Sequence, residues 1–158
     1  MRKQITQNNI QGLPANQEQI WLDLEQLAQV ELTSEDADHP IESALLLGAS
    51  PGWRAQQPGK QTIRLLFDNP CTIKRIYLVF QENKLARTQE FVLRWSSDSG
   101  ASYQEIVRQQ FNFSPPNVSR ELEDYTVELD GLTILELSIT PDISRGDTLA
   151  SLTQLRLA

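Results

Sequence analysis

The sequence predicts an all-β sandwich of about eight mainly antiparallel strands, and three observations carry this prediction. Apolar and polar residues alternate with a period of two in most segments after Leu27, as in strands with one buried face. Turn signals rich in Gly, Pro, Asn and Asp recur about every 8–12 residues, which is the spacing of a β-sandwich. Sustained helical periodicity is absent from the sequence.

The alternation also predicts the individual strands. The first strand runs through Ala28, Val30 and Leu32. Further strands are expected near residues 62–67, 73–80, 91–95, 102–108, 125–129, 135–139 and 152–157. Turns are predicted at 68–70 and 130–131, and Asp98-Ser99-Gly100 closes a hairpin.

The segments outside these strands are less regular. Residues 1–26 are interpreted as a polar N-terminal arm or lead-in, and residues 27–158 as the sandwich domain. One helical turn is expected over 41–45, because Pro40 suits the start of a helix. Residues 48–59 contain two Pro and three Gly, so a long irregular connection is expected there.

Composition limits the partners and the compartment. A net charge of -7 and a sequence pI of about 4.7 argue against binding to nucleic acid or to anionic membranes. No stretch approaches the ~20 apolar residues of a membrane span, so membrane insertion is not expected. Met1 is not followed by an apolar signal-peptide centre, and the lone Cys71 cannot form an internal disulfide. We therefore expect a cytoplasmic protein.

Four segments, taken in chain order, resemble one known family. Residues 30–35 form a strand that ends in Ser-Glu. Residues 40–61 contain Pro-Ile-Glu-Ser-Ala-Leu, then Gly-Trp-Arg-Ala and Gly-Lys-Gln. Residues 73–100 end in Ser-Ser-Asp-Ser-Gly, and a strand pair at 135–142 and 152–157 closes the chain. Over residues 27–158 this order resembles the discoidin family, also called coagulation factor V/VIII type C or galactose-binding-like domains, in the form of a small bacterial stand-alone member.

The resemblance implies a jelly-roll sandwich with its ligand loops at one end. Such domains bind sugars, phospholipid headgroups or proteins, and the loops at 34–40, 81–89 and 141–148 should converge. The ligand-binding residues that the resemblance suggests in these loops are Glu35, Asp38, His39, Asn83, Arg87, Asp142 and Arg145. Carboxylates and Arg suit vicinal hydroxyls because each can make two hydrogen bonds in a fixed geometry. Ordinary solvated loop charges are the alternative interpretation.

Two functions remain open at this stage, because none of the three loops carries an aromatic residue that could stack on a sugar. The first is a non-catalytic module for carbohydrate or another small polar ligand. The second is an intracellular protein-interaction or scaffold domain with no sugar ligand. Its candidate partner-docking loop is Phe111, Asn112 and Phe113, ahead of a Pro pair. Trp53 is expected to plug one end of the core, with Arg54 pairing a nearby carboxylate.

We expect neither catalysis nor a cofactor. The sequence lacks the Gly-x-Ser-x-Gly, His-Glu-x-x-His and phosphate-binding Gly motifs, and a hydrolase would have to use its single His, His39, beside a nucleophile. The resemblance to the discoidin family raises the question of a calcium site. Calcium sites of the discoidin family follow the Ala-Leu element, where residues 45–50 of this chain offer no carboxylate, so calcium is not favoured.

Overall fold

The structure is a computed structural model, and it describes residues 20–48 and 51–158. Eight antiparallel strands make up most of these residues. The strands are β1 Ala28–Leu32, β2 Trp53–Pro58, β3 Gln61–Gln81, β4 Arg87–Ser96, β5 Gln104–Phe113, β6 Arg120–Thr140, β7 Leu149–Leu152 and β8 Gln154–Leu157. Two one-turn helices, α1 Leu24–Leu27 and α2 Glu42–Leu45, precede β1 and β2. The predictions of an all-β antiparallel sandwich and of a helical turn near 41–45 are confirmed.

Strands β3 and β6 are each 21 residues long and take part in both layers of the sandwich. One layer has the order β1, first half of β3, second half of β6, β4, β5. In the other layer, β8 pairs with the second half of β3, which pairs with the first half of β6. Strands β2 and β7 form a separate two-stranded ribbon.

Strand boundaries differ from the predicted ones at the bends. Residues 68–70 and 130–131 lie inside β3 and β6, because the two strands stay paired through the change of layer by shifting register between Leu66 and Arg75. Residues 53–58, expected to be irregular, form β2 because they pair with β7. The last predicted strand is two strands, β7 and β8.

The core lies between the layers and is closed at one end by Trp53. This side chain is 1% exposed, and its indole Nε1 donates to the backbone oxygen of Ser34 over 3.1 Å. Trp53 is therefore a core plug, as expected. Leu24 of α1 is also buried, and the amide of Leu22 donates to the carbonyl of Leu157, so Leu22 and Leu24 pack with the sandwich. The remainder of the predicted lead-in, residues 1–19, lies outside the described residues.

Strand register brings several connections to one end of the sandwich, which we call the loop end. Pairing of Arg87 with Phe113 and of Gln81 with Arg120 aligns the start of β4 with the end of β5, and the end of β3 with the start of β6. The segments 34–40, 82–86, 114–119 and 141–148 therefore emerge together. Among the described residues, the helices are too short to cross a membrane.

Candidate functional site

Two adjoining depressions at the loop end, of about 320 and 240 Å³, share four lining residues and form what we call the loop-end cleft. The shared residues are Arg54, Gln81, Asn83 and Ser151. The first depression is also lined by Lys84, Leu85 and Leu149, and the second by His39. All three loops that were expected to converge thus contribute to one surface, namely 34–40, 81–89 and 141–148.

The floor of the cleft is the outer face of the β2–β7 ribbon. Trp53 is opposite Leu152 in the register, and both face the core. Because side chains alternate across a strand, the next pair, Arg54 and Ser151, faces outward. Leu149, which is 38% exposed, lies on the same outer face. The ribbon therefore gives the cleft a cationic, a hydroxyl and an aliphatic side chain.

One wall of the cleft carries His39, whose ring is held by a contact with Asp36. His39 Nδ1 lies 2.6 Å from a carboxylate oxygen of Asp36, and the backbones of the two residues form a bridge. The amide of Arg54 donates to the carbonyl of His39, which ties this loop to β2. An ionised carboxylate beside Nδ1 favours the tautomer with a proton there, so Nε2 is left as the free ring atom.

The opposite wall, residues 81–85, is held by the carboxylate of Glu82. One oxygen accepts hydrogen bonds from the amides of Lys84 and Leu85 at 2.9 and 3.1 Å, and the other accepts from Arg87 Nε at 2.7 Å. Burial alone would raise the pKa of Glu82, but these hydrogen bonds outweigh it and lower that pKa. Glu82 is consequently an ionised anchor for the loop that presents Asn83 and Lys84.

Arg87 is a largely buried side chain of the loop end, and it lines a separate depression together with Asp142 and Arg145. Its side chain is 1% exposed and lies over the ring of Phe113, 4.7 Å from the centroid. Besides Glu82, its guanidinium donates to the carbonyl of Pro141 and to the side-chain oxygen of Gln89. Arg87 thereby holds the 82–86 and 141–148 segments together. This geometry gives Arg87 a positioning role, and its predicted contact with a ligand stays a prediction.

The remaining predicted residues are divided between structural roles and other surfaces. Glu35 accepts the amide of Ile41 at 3.0 Å and lines an apolar groove beside α2 instead of the cleft. Asp142 accepts the amide of Ser144, and Arg145 pairs with Asp147 on the surface. Asp38 is exposed, and no described depression includes it. Of the seven residues, the structure brings only His39 and Asn83 into the loop-end cleft.

The candidate docking loop does not present two exposed aromatic rings. Phe113 is 2% exposed and Phe111 is half-buried, and the two rings pack edge to face with centroids 4.9 Å apart. Asn112 is exposed and accepts a hydrogen bond from Thr88. The aromatic rings of this segment thus belong chiefly to the hydrophobic core, in which Phe113 is buried and against which Phe111 packs.

Several cleft residues were missed by sequence reasoning. Arg54 was expected to pair with a carboxylate, but it makes no ion pair with any described residue. Gln81, Lys84 and Ser151 carried no motif, and Leu85 and Leu149 were not recognised as exposed apolar contacts. A signal was available for the last two, since a leucine flanked by polar loop residues is a candidate for an exposed contact.

Metal ligands are not gathered in the described residues. Within 20–48 and 51–158, no three His, Cys, Asp or Glu side chains are grouped closely enough to hold an ion.

Comparison with known proteins gives matches of structure alone. No family model matches the chain, and no curated protein sequence matches it. The family 32 carbohydrate-binding module of AlyQ in complex with 4,5-unsaturated mannuronic acid matches with a TM-score of 0.61 and 19% identity, covering 89% of this chain and 98% of that one. The family 32 module of C. perfringens NanJ in complex with galactose gives a TM-score of 0.58 and 12% identity, with coverages of 87% and 96%. The chain has the fold of these modules.

A third match agrees with this assignment of fold. A pectin-binding carbohydrate-binding module has a TM-score of 0.55 and 16% identity, covering 83% of this chain and 89% of that one. The shared β-sandwich is galactose-binding-like and discoidin-like, so the architecture that the resemblance implied is confirmed. Identities of this size establish a common fold and leave the ligand to be argued from the cleft.

Proposed function

We propose that the chain is a non-catalytic carbohydrate-binding module that uses the loop-end cleft. The observation that carries the proposal is the set of uncommitted hydrogen-bonding groups in that cleft. Asn83 accepts from Gln81 through its side-chain oxygen, and its amide nitrogen has no hydrogen-bond partner among the described residues. The guanidinium of Arg54 and the ammonium of Lys84 are likewise available. Sugar hydroxyls both donate and accept, and such a mixed set suits them.

The apolar contact expected from an aromatic ring has an aliphatic substitute. Leu85 is 53% exposed and Leu149 is 38% exposed, and both line the cleft. The C–H face of a pyranose could cover both side chains, so burial of their surface would contribute to affinity. Aliphatic contact lacks the directional preference of a ring, which suggests modest affinity for a single sugar.

The absence of catalysis is also part of the proposal. Asp36 and His39 resemble two members of a hydrolase triad, and Ser151 lines the same depression. The Ser151 hydroxyl, however, makes no hydrogen bond with the His39 ring or with any other described side chain. A nucleophile needs its base within hydrogen-bond reach.

The four discoidin-like segments, in their order and with this fold, further support a place in the discoidin family as a divergent member.

Binding can be measured by NMR titration of the whole chain with a panel of neutral and acidic oligosaccharides. We expect shifts confined to the amides around the loop-end cleft, and about fivefold weaker binding in His39→Ala and in Asn83→Ala, since each loses about one net hydrogen bond. Asn69→Ala is the matched control, because Asn69 is exposed at a bend of β3 outside the cleft. A panel without any binder would remove the proposal in favour of the protein-interaction alternative.

A further inference from the structure

The loop-end cleft carries two cations that the fold leaves without an anion. Arg54 projects from the outer face of the β2–β7 ribbon, and Lys84 projects from the loop after β3. Neither side chain forms an ion pair or a hydrogen bond with a described residue. Most arginines of the described residues are used differently. Six of the others form ion pairs with carboxylates at 3.2 Å or less, namely Arg64, Arg75, Arg87, Arg94, Arg108 and Arg145.

The carboxylates of the cleft are already neutralised by other groups. Glu82 is paired with the buried guanidinium of Arg87. Asp147 is paired with Arg145 at 3.0 Å, and this guanidinium lowers the pKa of the Asp147 carboxyl. Asp36 does not line the cleft, and its carboxylate is bonded to the ring of His39 at 2.6 Å. Arg54 and Lys84 therefore give the lining of the cleft a local excess of positive charge in a chain whose net charge is -7.

This excess distinguishes the cleft from a site for a neutral sugar. Arg54 and Lys84 line the same depression, and neither forms an ion pair that would stabilise the fold when the cleft is empty. A ligand carboxylate would supply the missing anion, and a guanidinium can hold it through two parallel hydrogen bonds. With the carboxylate of the sugar bound by Arg54 and Lys84, Asn83 and His39 would bind hydroxyls of the same sugar.

We propose that the ligand is an acidic saccharide whose uronate carboxylate is bound by Arg54 and Lys84. This inference rests on the proposed function, because it names the class of saccharide for the same cleft. The carboxylate forms no covalent bond and remains ionised, so recognition is by charge and by hydrogen bonds alone. Affinity should consequently fall as ionic strength rises, since the two cations are exposed and screened by salt.

The test compares acidic and neutral forms of the same sugars. Isothermal titration of the whole chain would use trisaccharides of galacturonate and of mannuronate, their methyl esters, and a sulfated neutral trisaccharide. We expect at least one uronate to bind about 10- to 100-fold more tightly than its ester, which is the range for hydrogen bonds to a charged group. In Arg54→Gln and Lys84→Gln this preference should shrink at least several-fold. Lys74→Gln, which removes an exposed charge from β3 outside the cleft, should keep it.

The possible results separate this inference from the function it rests on. Equal affinity for acid and ester, with shifts still centred on the cleft, would overturn the uronate assignment and leave a carbohydrate-binding module. Tighter binding of the sulfated sugar than of either uronate would also overturn it. Absence of binding by every saccharide would remove the proposed function together with the inference. A uronate preference that survives in both cleft variants would place the carboxylate elsewhere and refute the assignment of Arg54 and Lys84.

Discussion

Arg87 shows how one side chain holds the loop end together. Its guanidinium contacts Glu82, Gln89 and the carbonyl of Pro141 while 1% exposed. Removing the guanidinium leaves Glu82 with only its two amide hydrogen bonds and takes a donor from the Pro141 carbonyl, at a cost of about 1–3 kcal/mol. We therefore expect Arg87→Met to lower the free energy of unfolding by about that amount, as measured by urea denaturation.

The matched control for Arg87 is another arginine of the same end. Arg145 is 68% exposed and pairs with Asp147, which is 70% exposed. Exposed pairs contribute about 0–1 kcal/mol, so Arg145→Met should lower the free energy of unfolding by less than about 1 kcal/mol. Equal losses in the two variants would contradict a positioning role for Arg87.

At the level of single residues, the polar loops could be predicted from the sequence. Which of their side chains are buried in structural contacts and which line the cleft could not. His39 and Asn83 were predicted because both sit in loops that the resemblance to the discoidin family places at one end, and both line the cleft. Arg87 could not be assigned correctly, since its burial depends on Phe113, 26 residues away, lying beneath it. Arg54 was missed for the same kind of reason. Its outward direction follows from pairing with Ser151, and local alternation over so short a strand does not reveal that partner.

Among the elements, the β2–β7 ribbon depends on Gly52. This residue has φ +86°, and a Cβ there would lie 2.6 Å from the carbonyl oxygen of Leu152 and 2.8 Å from Cα of Thr153. Because both neighbours are backbone, the ribbon has to shift to admit a side chain. We expect Gly52→Ala to cost about 1–3 kcal/mol of unfolding free energy and to weaken saccharide binding, since Arg54 would move with the strand.

Thermal unfolding and titration of the same variant check this expectation. Gly146→Ala is the control, because a Cβ at Gly146 meets no described atom within 4 Å and its φ is not positive. Its unfolding free energy should change by less than about 0.5 kcal/mol. A Gly52→Ala chain with parental stability and binding would show that the ribbon tolerates displacement.

The elements also show why the strand pattern was predictable and its bounds were not. Alternation marks which residues face the core, so β1, β4 and β5 were located close to their observed positions. The bends of β3 and β6 contain Asn-Pro and Asp-Gly, which are ordinary turn signals. These strands nevertheless continue through the bends, because each keeps the other as partner on both sides. Pairing at such a distance along the chain is a tertiary effect.

On the scale of the whole molecule, a buried acid links stability to pH. Glu121 is 1% exposed at the start of β6, and one carboxyl oxygen accepts a hydrogen bond from Gln89 at 3.1 Å. Its other oxygen is buried without a hydrogen-bond partner among the described residues. The same holds for the hydroxyl of Tyr125, four residues further along β6 on the same face of the strand. Burial, and then the neighbouring Glu123 carboxylate, raise the pKa of Glu121 to about 9.

The direction of the pH effect follows from that raised pKa. In the unfolded chain Glu121 ionises near its ordinary pKa of 4.5, whereas in the folded chain it keeps its proton up to about pH 9. Between these limits the unfolded state binds fewer protons, so stability falls as pH rises. Carboxylates with a lowered pKa, such as Asp98 at about 2, act on the acid side, where their contribution is lost as pH falls.

We therefore expect the melting temperature to be several degrees higher at pH 5 than at pH 8, and the difference to be much smaller in Glu121→Gln. The amide keeps the shape of a protonated carboxyl and cannot ionise, so it removes the linkage while filling the same space. Glu128→Gln on an exposed position of the same strand should leave the slope of melting temperature against pH unchanged. A Glu121→Gln variant with the parental slope would assign the pH dependence to other groups and mean that Glu121 is ionised in the folded chain at neutral pH.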